Sequence, residues 1–389
     1  MSAAPVALDV QVRRADLRDA RVVEGPVPGA TGLEPGRAVL RVERFALTAN
    51  NVTYGVCGDV PGLEYWRFFP APDGWGRVPV WGFATAVAST HPGVAVGDRF
   101  YGFLPMSTHL VVEPDAAGPQ GFADGAAHRR GLSPVYNTYV RVRARPDEDP
   151  AQRDASEAEA MLLRPLFTTA FLIDDFLADE HFFGASRVVV ASASSKTAYA
   201  TAFLLARRRG TPQSVEVVGL TSPGNVGFVA RLGCYDRVLA YPDAERLEAG
   251  VPTVYVDMSG DAGLRERVHR HLGDALRHDC AVGLARWEDG AGRRRGAGAP
   301  PPAPLPGPKP AMFFAPARWT KREADWGAAG FASRQAEARD AFSAKLRGDG
   351  GWMTVVEGRG PGDVVRVWRE LVDGRGRPEQ GHVLAPEPA

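Results

Sequence analysis

Apolar positions recur in two different rhythms along the 389 residues. Over residues 37–45 (RAVLRVERF) and again over 108–113, apolar and polar residues alternate, the period of a strand with one buried face. Gly, Pro and aromatic residues punctuate the stretch between them, so this part reads as a small antiparallel β-unit. From Pro146 to Ser156 the chain turns polar and acidic, which predicts a connector. A helical pattern follows over Ser156–Asp179, with Pro165 either kinking it or dividing it in two.

After Gly184 the rhythm changes to strand and helix in alternation. Arg187–Ala191 predicts a short buried strand, Lys196–Arg209 a helix, Ser214–Leu220 a strand, Pro223–Leu232 a helix and Arg237–Ala240 a strand. Thr253–Met258 continues as a strand, Ala262–Leu276 as a helix and Cys280–Ala285 as the fifth strand. Ala311–Ala315 resumes as a strand, Ser333–Leu346 as a helix, and strand, helix and strand over Trp352–Glu357, Pro361–Leu371 and His382–Leu384 finish the chain. Strands alternating with helices imply right-handed crossovers and a doubly wound parallel α/β sheet. Between the fifth and sixth strands lies an insertion at 289–310 with RRR at 293–295 and PPPAPLPGPKP at 300–310. It reads as a solvated loop, with a polyproline II ligand for an SH3-like partner as the alternative.

Charge and cysteine usage narrow the function. Forty-six Lys+Arg balance 46 Asp+Glu, so no global field holds nucleic acid or an anionic membrane surface. Cys57, Cys234 and Cys280 lie far apart in no disulfide or metal spacing, and no apolar run reaches about 18 residues. The chain therefore reads as a soluble cytoplasmic protein acting on a small molecule.

In open α/β sheets ligands sit at the carboxyl ends of the strands, and the first strand-to-helix turn is the usual phosphate cradle. Here that turn is SASSKTA, 192–198. Among 44 glycines in the chain, none falls between Ala185 and Arg209. Ala198 can serve as the packing glycine of a dinucleotide fingerprint, while Ser192 and Ser195 stand where a Cβ crowds a phosphate. The hydroxyls of Ser192, Ser194, Ser195 and Thr197 and the Lys196 ammonium are nevertheless phosphate ligands by type; the competing reading is that the serines only cap the helix. A P-loop is disfavoured because its glycines are missing, and a Ser/Lys nucleophile because adjacent residues at a helix start diverge. The second predicted strand runs into Thr221-Ser222 with no acid until Asp236, so an NAD-type ribose clamp is absent and NADP(H) is the preferred dinucleotide.

The stretch VPVWGFATAVASTHPGVAVGDRFYGFLPMSTHLVVEP, 78–114, resembles the barrel signature of the medium-chain dehydrogenase/reductase superfamily, with Gly82, Gly97, Asp98, Arg99 and Gly102 at the matching positions. RLGCYDRVLAYPD (231–243), VYVDMSGD (254–261) and the closing GHV (381–383) match the superfamily's later landmarks. The resemblance implies a GroES-like β-barrel catalytic domain over 1–155, completed by 350–389, and a Rossmann-like cofactor domain over 156–349. Zinc-containing members carry a Cys in the first barrel loop and Gly-His-Glu on the next strand. Here TANNVTYG (48–55) and GFA (82–84) hold no such ligand, which implies a zinc-independent quinone- or enoyl-reductase-like member. The combination of SASSKTA, TSPGN and KPAMFFAPARW with DWG at 325–327 resembles a bacterial branch known only as a domain of unknown function.

On that resemblance, Tyr54 donates a proton or hydrogen bond to the substrate and Asn51 orients it, Asn50 looking like part of the same loop. Tyr241 matches the superfamily's tyrosine near the 2′-phosphate, whereas the expected lysine falls at Asn225. Tyr65 and Trp66, with Trp81, Phe103 and Tyr136, are the expected apolar substrate wall; core packing is the alternative. His91, His109 and His181 have no partners at readable spacing, and Asp174 and Asp175 point to different helix faces. Relatives join Rossmann sheets edge to edge, so a homodimer is implied, with a monomer as the alternative because the insertion falls at that edge. The reading is an NADP(H)-linked reductase of an apolar carbonyl-conjugated or quinone-like compound. Its rival keeps the fold without the dinucleotide, as a cofactor-free enzyme on an acyl or carbonyl compound or as a binding protein.

Overall fold

The N-terminal residues fold back on themselves: β1 (Val6–Arg13) pairs antiparallel with β2 (Asp16–Pro26). Only Leu17 of β2 is buried, so its apolar residues do not alternate, and the sequence pattern gives no sign of this hairpin. The computed structural model describes residues 6–29, 32–143, 149–282, 304–348 and 352–388. They form two units, 1–162 with 353–389 and 163–352.

In the first unit the chain continues through β3 (Ala38–Leu47), helix α1 (Ala49–Val56), β4 (Trp75–Gly76), β5 (Pro79–Ser89), β6 (Arg99–Pro105), β7 (His109–Val112), β8 (Pro114–Gly118), β9 (Gly121–Asp124) and β10 (Thr138–Val142). β5 lies between β3 and β6, and the antiparallel path runs on through β10 and β9 to β8. Gly82 permits the close approach of β3 and β5: a Cβ there would meet the Arg44 carbonyl oxygen at 2.4 Å and Phe45 Cβ at 2.7 Å. Thus the barrel-signature glycine has a packing cause.

Helix α2 (Pro150–Asp179) is continuous, with Pro165 inside it, and starts within the segment expected to be a connector. The Thr168 and Thr169 hydroxyls donate to the Arg164 and Pro165 carbonyls, one turn back. The connector's residues 146–148 lie outside the described residues.

The second unit contains β11 (Arg187–Ala191), α3 (Lys196–Ala206), β12 (Glu216–Thr221), α4 (Val226–Arg231), β13 (Arg237–Ala240), β14 (Thr253–Asp257), α5 (Ala262–Leu272), β15 (Leu276–Ala281), β16 (Ala311–Met312) and α6 (Ala315–Gly348). Its six strands are parallel in the order β13-β12-β11-β14-β15-β16, the doubly wound arrangement expected. Every residue of β11 and β14 is buried, as a sheet covered on both faces requires.

Two elements differ from the pattern reading. The fifth strand starts at Leu276 rather than Cys280 and runs to Ala281, because Asp279 occupies a fully buried position where periodicity expects an apolar residue; residues 283–285 of the expected strand lie outside the described residues. Its carboxylate is matched there by His269 Nε2 at 2.8 Å and Arg265 Nε at 3.1 Å from α5. Helix α6 begins eighteen residues before the expected Ser333, interrupted at Gly327 (φ 72°), and its first turns are tied by Arg318 and Arg322 to Asp175 and Asp179 of α2. Of the 289–310 insertion, residues 289–303 lie outside the described residues, while the Pro306 carbonyl accepts from His269 Nδ1 at 2.8 Å.

The chain then returns to the first unit through β17 (Thr354–Arg359), α7 (Gly360–Val372) and β18 (Gln380–Ala385), β18 pairing with β3. Trp368 of α7 is fully buried and donates its indole N–H to the Leu17 carbonyl at 2.7 Å, fixing the helix on the N-terminal hairpin.

Candidate functional site

Two clusters carry the chemistry expected from the sequence, one in each unit. In the first unit the Tyr54 ring lies 4.5 Å from Tyr65 and 5.4 Å from Phe103 between ring centroids, with Tyr136 at 6.4 Å. Trp81 stacks on Tyr101 at 5.6 Å and tilts against Phe103 at 5.1 Å. The Tyr65 and Tyr136 hydroxyls meet at 3.3 Å. Tyr54, Tyr65 and Phe103 are buried, while Trp81 and Tyr136 are half-buried. Trp66 sits apart from these rings. It fills a slot between Gly58 and Gly76, where a Cβ would fall 2.0 Å and 2.5 Å from its ring.

Helix α1 brings Tyr54 into this cluster, and Asn51 fixes the helix. Asn51 Oδ1 accepts from the Thr48 backbone N–H at 2.8 Å and from the Thr48 hydroxyl, and its Nδ2 donates to the Pro79 carbonyl at 2.8 Å. The Asn51 amide is thus engaged in tying the start of α1 to the start of β5. The hydrogen bond to the Tyr54 oxygen comes from the Trp81 indole N–H at 3.4 Å, and the nearby Asn50 side chain also favours the charged form. Burial raises the Tyr54 phenol far above its ordinary value, against the pull of these two groups. Burial likewise raises Tyr65 and Tyr136, so all three phenols are neutral at pH 7. It also pushes the nearby Cys57 thiol up to about 11.

In the second unit the 192–198 turn joins β11 to α3 at the carboxyl edge of the sheet. Ser192 takes a left-handed conformation, φ 56°, the position where a dinucleotide turn uses glycine. The turn is held from below: Ala193 N–H donates to the Leu220 carbonyl at 3.0 Å and Tyr235 hydroxyl to the Ala193 carbonyl at 3.0 Å. Ser195 is the helix cap, its hydroxyl accepting from Ala198 N–H at 3.3 Å, so the capping reading holds for that serine. The Ser194 hydroxyl accepts from Asn225 Nδ2 at 3.2 Å. The backbone N–H groups of Ser194 and Thr197 find no acceptor among the described residues, leaving two donors at the N-terminal end of an eleven-residue helix. Lys196 places its ammonium over the Trp352 ring, 5.7 Å from the centroid.

The end of β12 contributes Thr221, wholly buried, whose hydroxyl has no hydrogen-bond partner among the described residues. Ser222 follows in extended conformation, half-buried, ahead of the 223–225 turn. Tyr241 packs with Leu239 against the apolar layer of Val189, Ala191, Val218 and Leu220, and its carbonyl accepts from Arg267 at 2.8 Å. The structure thus brings Ser192, Ser194, Ser195 and Thr197 together in one turn and joins them to the β12 end through Asn225. Sequence reasoning missed that bridge; it placed Asn50 in the Tyr54 loop but gave the orienting role to its neighbour Asn51, and an amide next to the expected one is a signal too slight to choose by. No three His, Cys, Asp or Glu side chains among the described residues gather as a metal-ligand set, and no helix among them is long and apolar enough to cross a membrane.

The fold is shared with solved oxidoreductase structures at low sequence identity. CurA from Vibrio vulnificus in complex with NADPH superposes with a TM-score of 0.59 at 13% identity, covering 98% of this chain and 100% of that one. Mycobacterial Rv1454c complexed with NADPH gives 0.54 at 15%, again with 98% and 100% covered. A mutant form of enoyl thioester reductase from Candida tropicalis gives 0.52 at 10%, over 98% and 100%. The two-domain fold implied by the medium-chain dehydrogenase/reductase resemblance is therefore the fold of this protein. No curated protein matches the sequence. Residues 45–377 match the family described as "Protein of unknown function (DUF2855)", and the chain belongs to that family.

Proposed function

We propose that the protein is a zinc-independent, NADP(H)-linked reductase of an apolar, carbonyl-conjugated or quinone-like small molecule. The observation that carries this reading is the β11–α3 turn, where the unpaired Ser194 and Thr197 amides stand at a helix N-terminus, a preformed anion cradle. The NADPH held by two proteins of the same fold supports the choice of dinucleotide. Bound there, NADPH supplies a hydride.

The chain's own residues do the rest. The Ser194 and Thr197 amides, with the Thr197 hydroxyl and Lys196, would hold the pyrophosphate, while Ser222 and Tyr241 would flank the adenosine end. Trp81 and Tyr136, backed by the buried rings of Tyr65 and Phe103, bind an apolar, uncharged compound, since every phenol there is neutral. Trp66 serves this wall only by supporting the loop that carries Tyr65. Tyr54 gives its hydroxyl proton to the oxygen on which negative charge develops. The loop and strand that hold zinc in other members carry no ligand here, which supports zinc independence.

Enhancement of NADPH fluorescence and a raised melting temperature at millimolar NADPH are the expected results. Absence of both removes the reading. The rival, a fold relative that has given up the dinucleotide, is favoured by one observation, the Asn225–Ser194 bridge across the turn.

A further inference from the structure

The contact between Trp81 and Tyr54 has a direction. An indole N–H only donates, so the Tyr54 oxygen is the acceptor in their 3.4 Å contact. The direction is set by packing, because the Trp81 ring is stacked on Tyr101 and lodged against Phe103 and Tyr136. It is also set by a shared tie: the Asn51 amide joins the start of α1, which carries Tyr54, to Pro79, two residues before Trp81 on β5. The nearby Asn50 side chain favours the charged form of the same phenol. With one lone pair of the oxygen taken by Trp81, the O–H hydrogen turns away from the indole.

We propose that Trp81 is a positioning residue for Tyr54: its indole N–H aims the phenol proton away from the β5 ring stack and, with the Asn50 side chain, bears the negative charge left on the oxygen once that proton has gone. The inference rests on the reductase reading. In the balanced step the conjugated β-carbon gains the hydride of NADPH and the double-bond electrons move onto the carbonyl oxygen. The Tyr54 O–H bond breaks as an O–H bond forms on that oxygen, and water returns a proton to the phenolate. Without preplaced donors a phenolate formed in this buried cluster would be strongly disfavoured.

The test uses the full chain with NADPH and either a p-quinone or an α,β-unsaturated ketone. Trp81→Phe keeps an aromatic ring in the stack and deletes the donor. Its expected effects are a fall in kcat of about tenfold or more, a KM changed less than about twofold, and a displaced Tyr54 resonance in chain labelled with 13Cζ-tyrosine. Unchanged kcat and resonance overturn the proposal. Tyr54→Phe separates the two levels: if it retains full turnover, the acid role of Tyr54 fails, whereas if it loses turnover and Trp81→Phe does not, only the Trp81 inference fails. Should Trp81→Phe fold poorly, β-(3-benzothienyl)alanine at position 81 replaces the N–H alone. The tyrosine resonance needs no turnover, so an unmoved signal in that variant overturns the proposal even in an inactive protein.

Discussion

Asn225 donates its side-chain amide to the Ser194 hydroxyl across 3.2 Å, tying the end of strand β12 to the turn that follows β11. The two segments that would flank the adenosine end of a dinucleotide are thereby joined by a neutral hydrogen bond, at the position where similar reductases are expected to place a lysine. Asn225→Lys breaks this bridge and sets a cation beside the site of a 2′-phosphate. Binding titrations are expected to show NADPH held about tenfold more tightly, the scale of one charge-assisted hydrogen bond, with NADH little changed. Equal gains for both dinucleotides would argue against a 2′-phosphate at this place.

Ser192 stores strain in its left-handed backbone, and Ser195 caps α3. The two serines should therefore respond oppositely to glycine. Ser192→Gly is expected to raise unfolding free energy by about 1 kcal/mol in urea titrations and to strengthen NADPH binding by removing a Cβ from the cradle. Ser195→Gly is expected to leave stability the same or slightly lower, since glycine is a fair but weaker cap. Loss of NADPH binding on Ser192→Gly would favour a serine-dependent chemistry instead.

Gly82 leaves no room for a methyl group against the Arg44 carbonyl and Phe45, and these atoms belong to the backbone and Cβ of a central strand. Gly82→Ala is expected to cost about 2–3 kcal/mol, read as a lowered urea midpoint at unchanged slope.

The alternating strand and helix pattern, and the boundaries of β11 and β13, were legible because β11 is buried on both faces and both strands are bounded by turn residues. Strand β15 was misplaced because Asp279 looks like a loop residue until Arg265 and His269, fourteen and ten positions earlier, are seen beside it. The turn over His181, Phe182, Phe183 and Gly184 was not legible at all: four successive residues have φ between 48° and 73°, and only the glycine hints at it. Tertiary packing holds that turn, with the Phe183 ring stacked 4.0 Å from His278. The candidate site was legible as far as loop positions and residue types. Which amide reaches Tyr54, and which serine caps the helix, depend on side-chain directions that spacing does not encode.

Acid should loosen the tie between α2 and α6. The Arg322 guanidinium, with Arg318 beside it, holds the Asp179 carboxyl down to about 2 despite the opposing effect of burial. A carboxyl depressed in the folded state contributes stability that is complete above its unfolded value of about 4 and lost as pH falls through the folded one. Melting temperatures measured from pH 5 to pH 2 are expected to fall across that window, and Asp179→Asn to make the fall shallower. Because about a third of this side chain is exposed, added salt should weaken the effect.

The most direct test of the account is a crystal structure of the full chain grown with NADPH. The account predicts dinucleotide density along the 192–198 turn, with pyrophosphate oxygens within hydrogen-bond distance of the Ser194 and Thr197 amides and the adenosine ribose beside Ser222. A turn left empty at saturating NADPH, with the Asn225–Ser194 bridge closed, would contradict it.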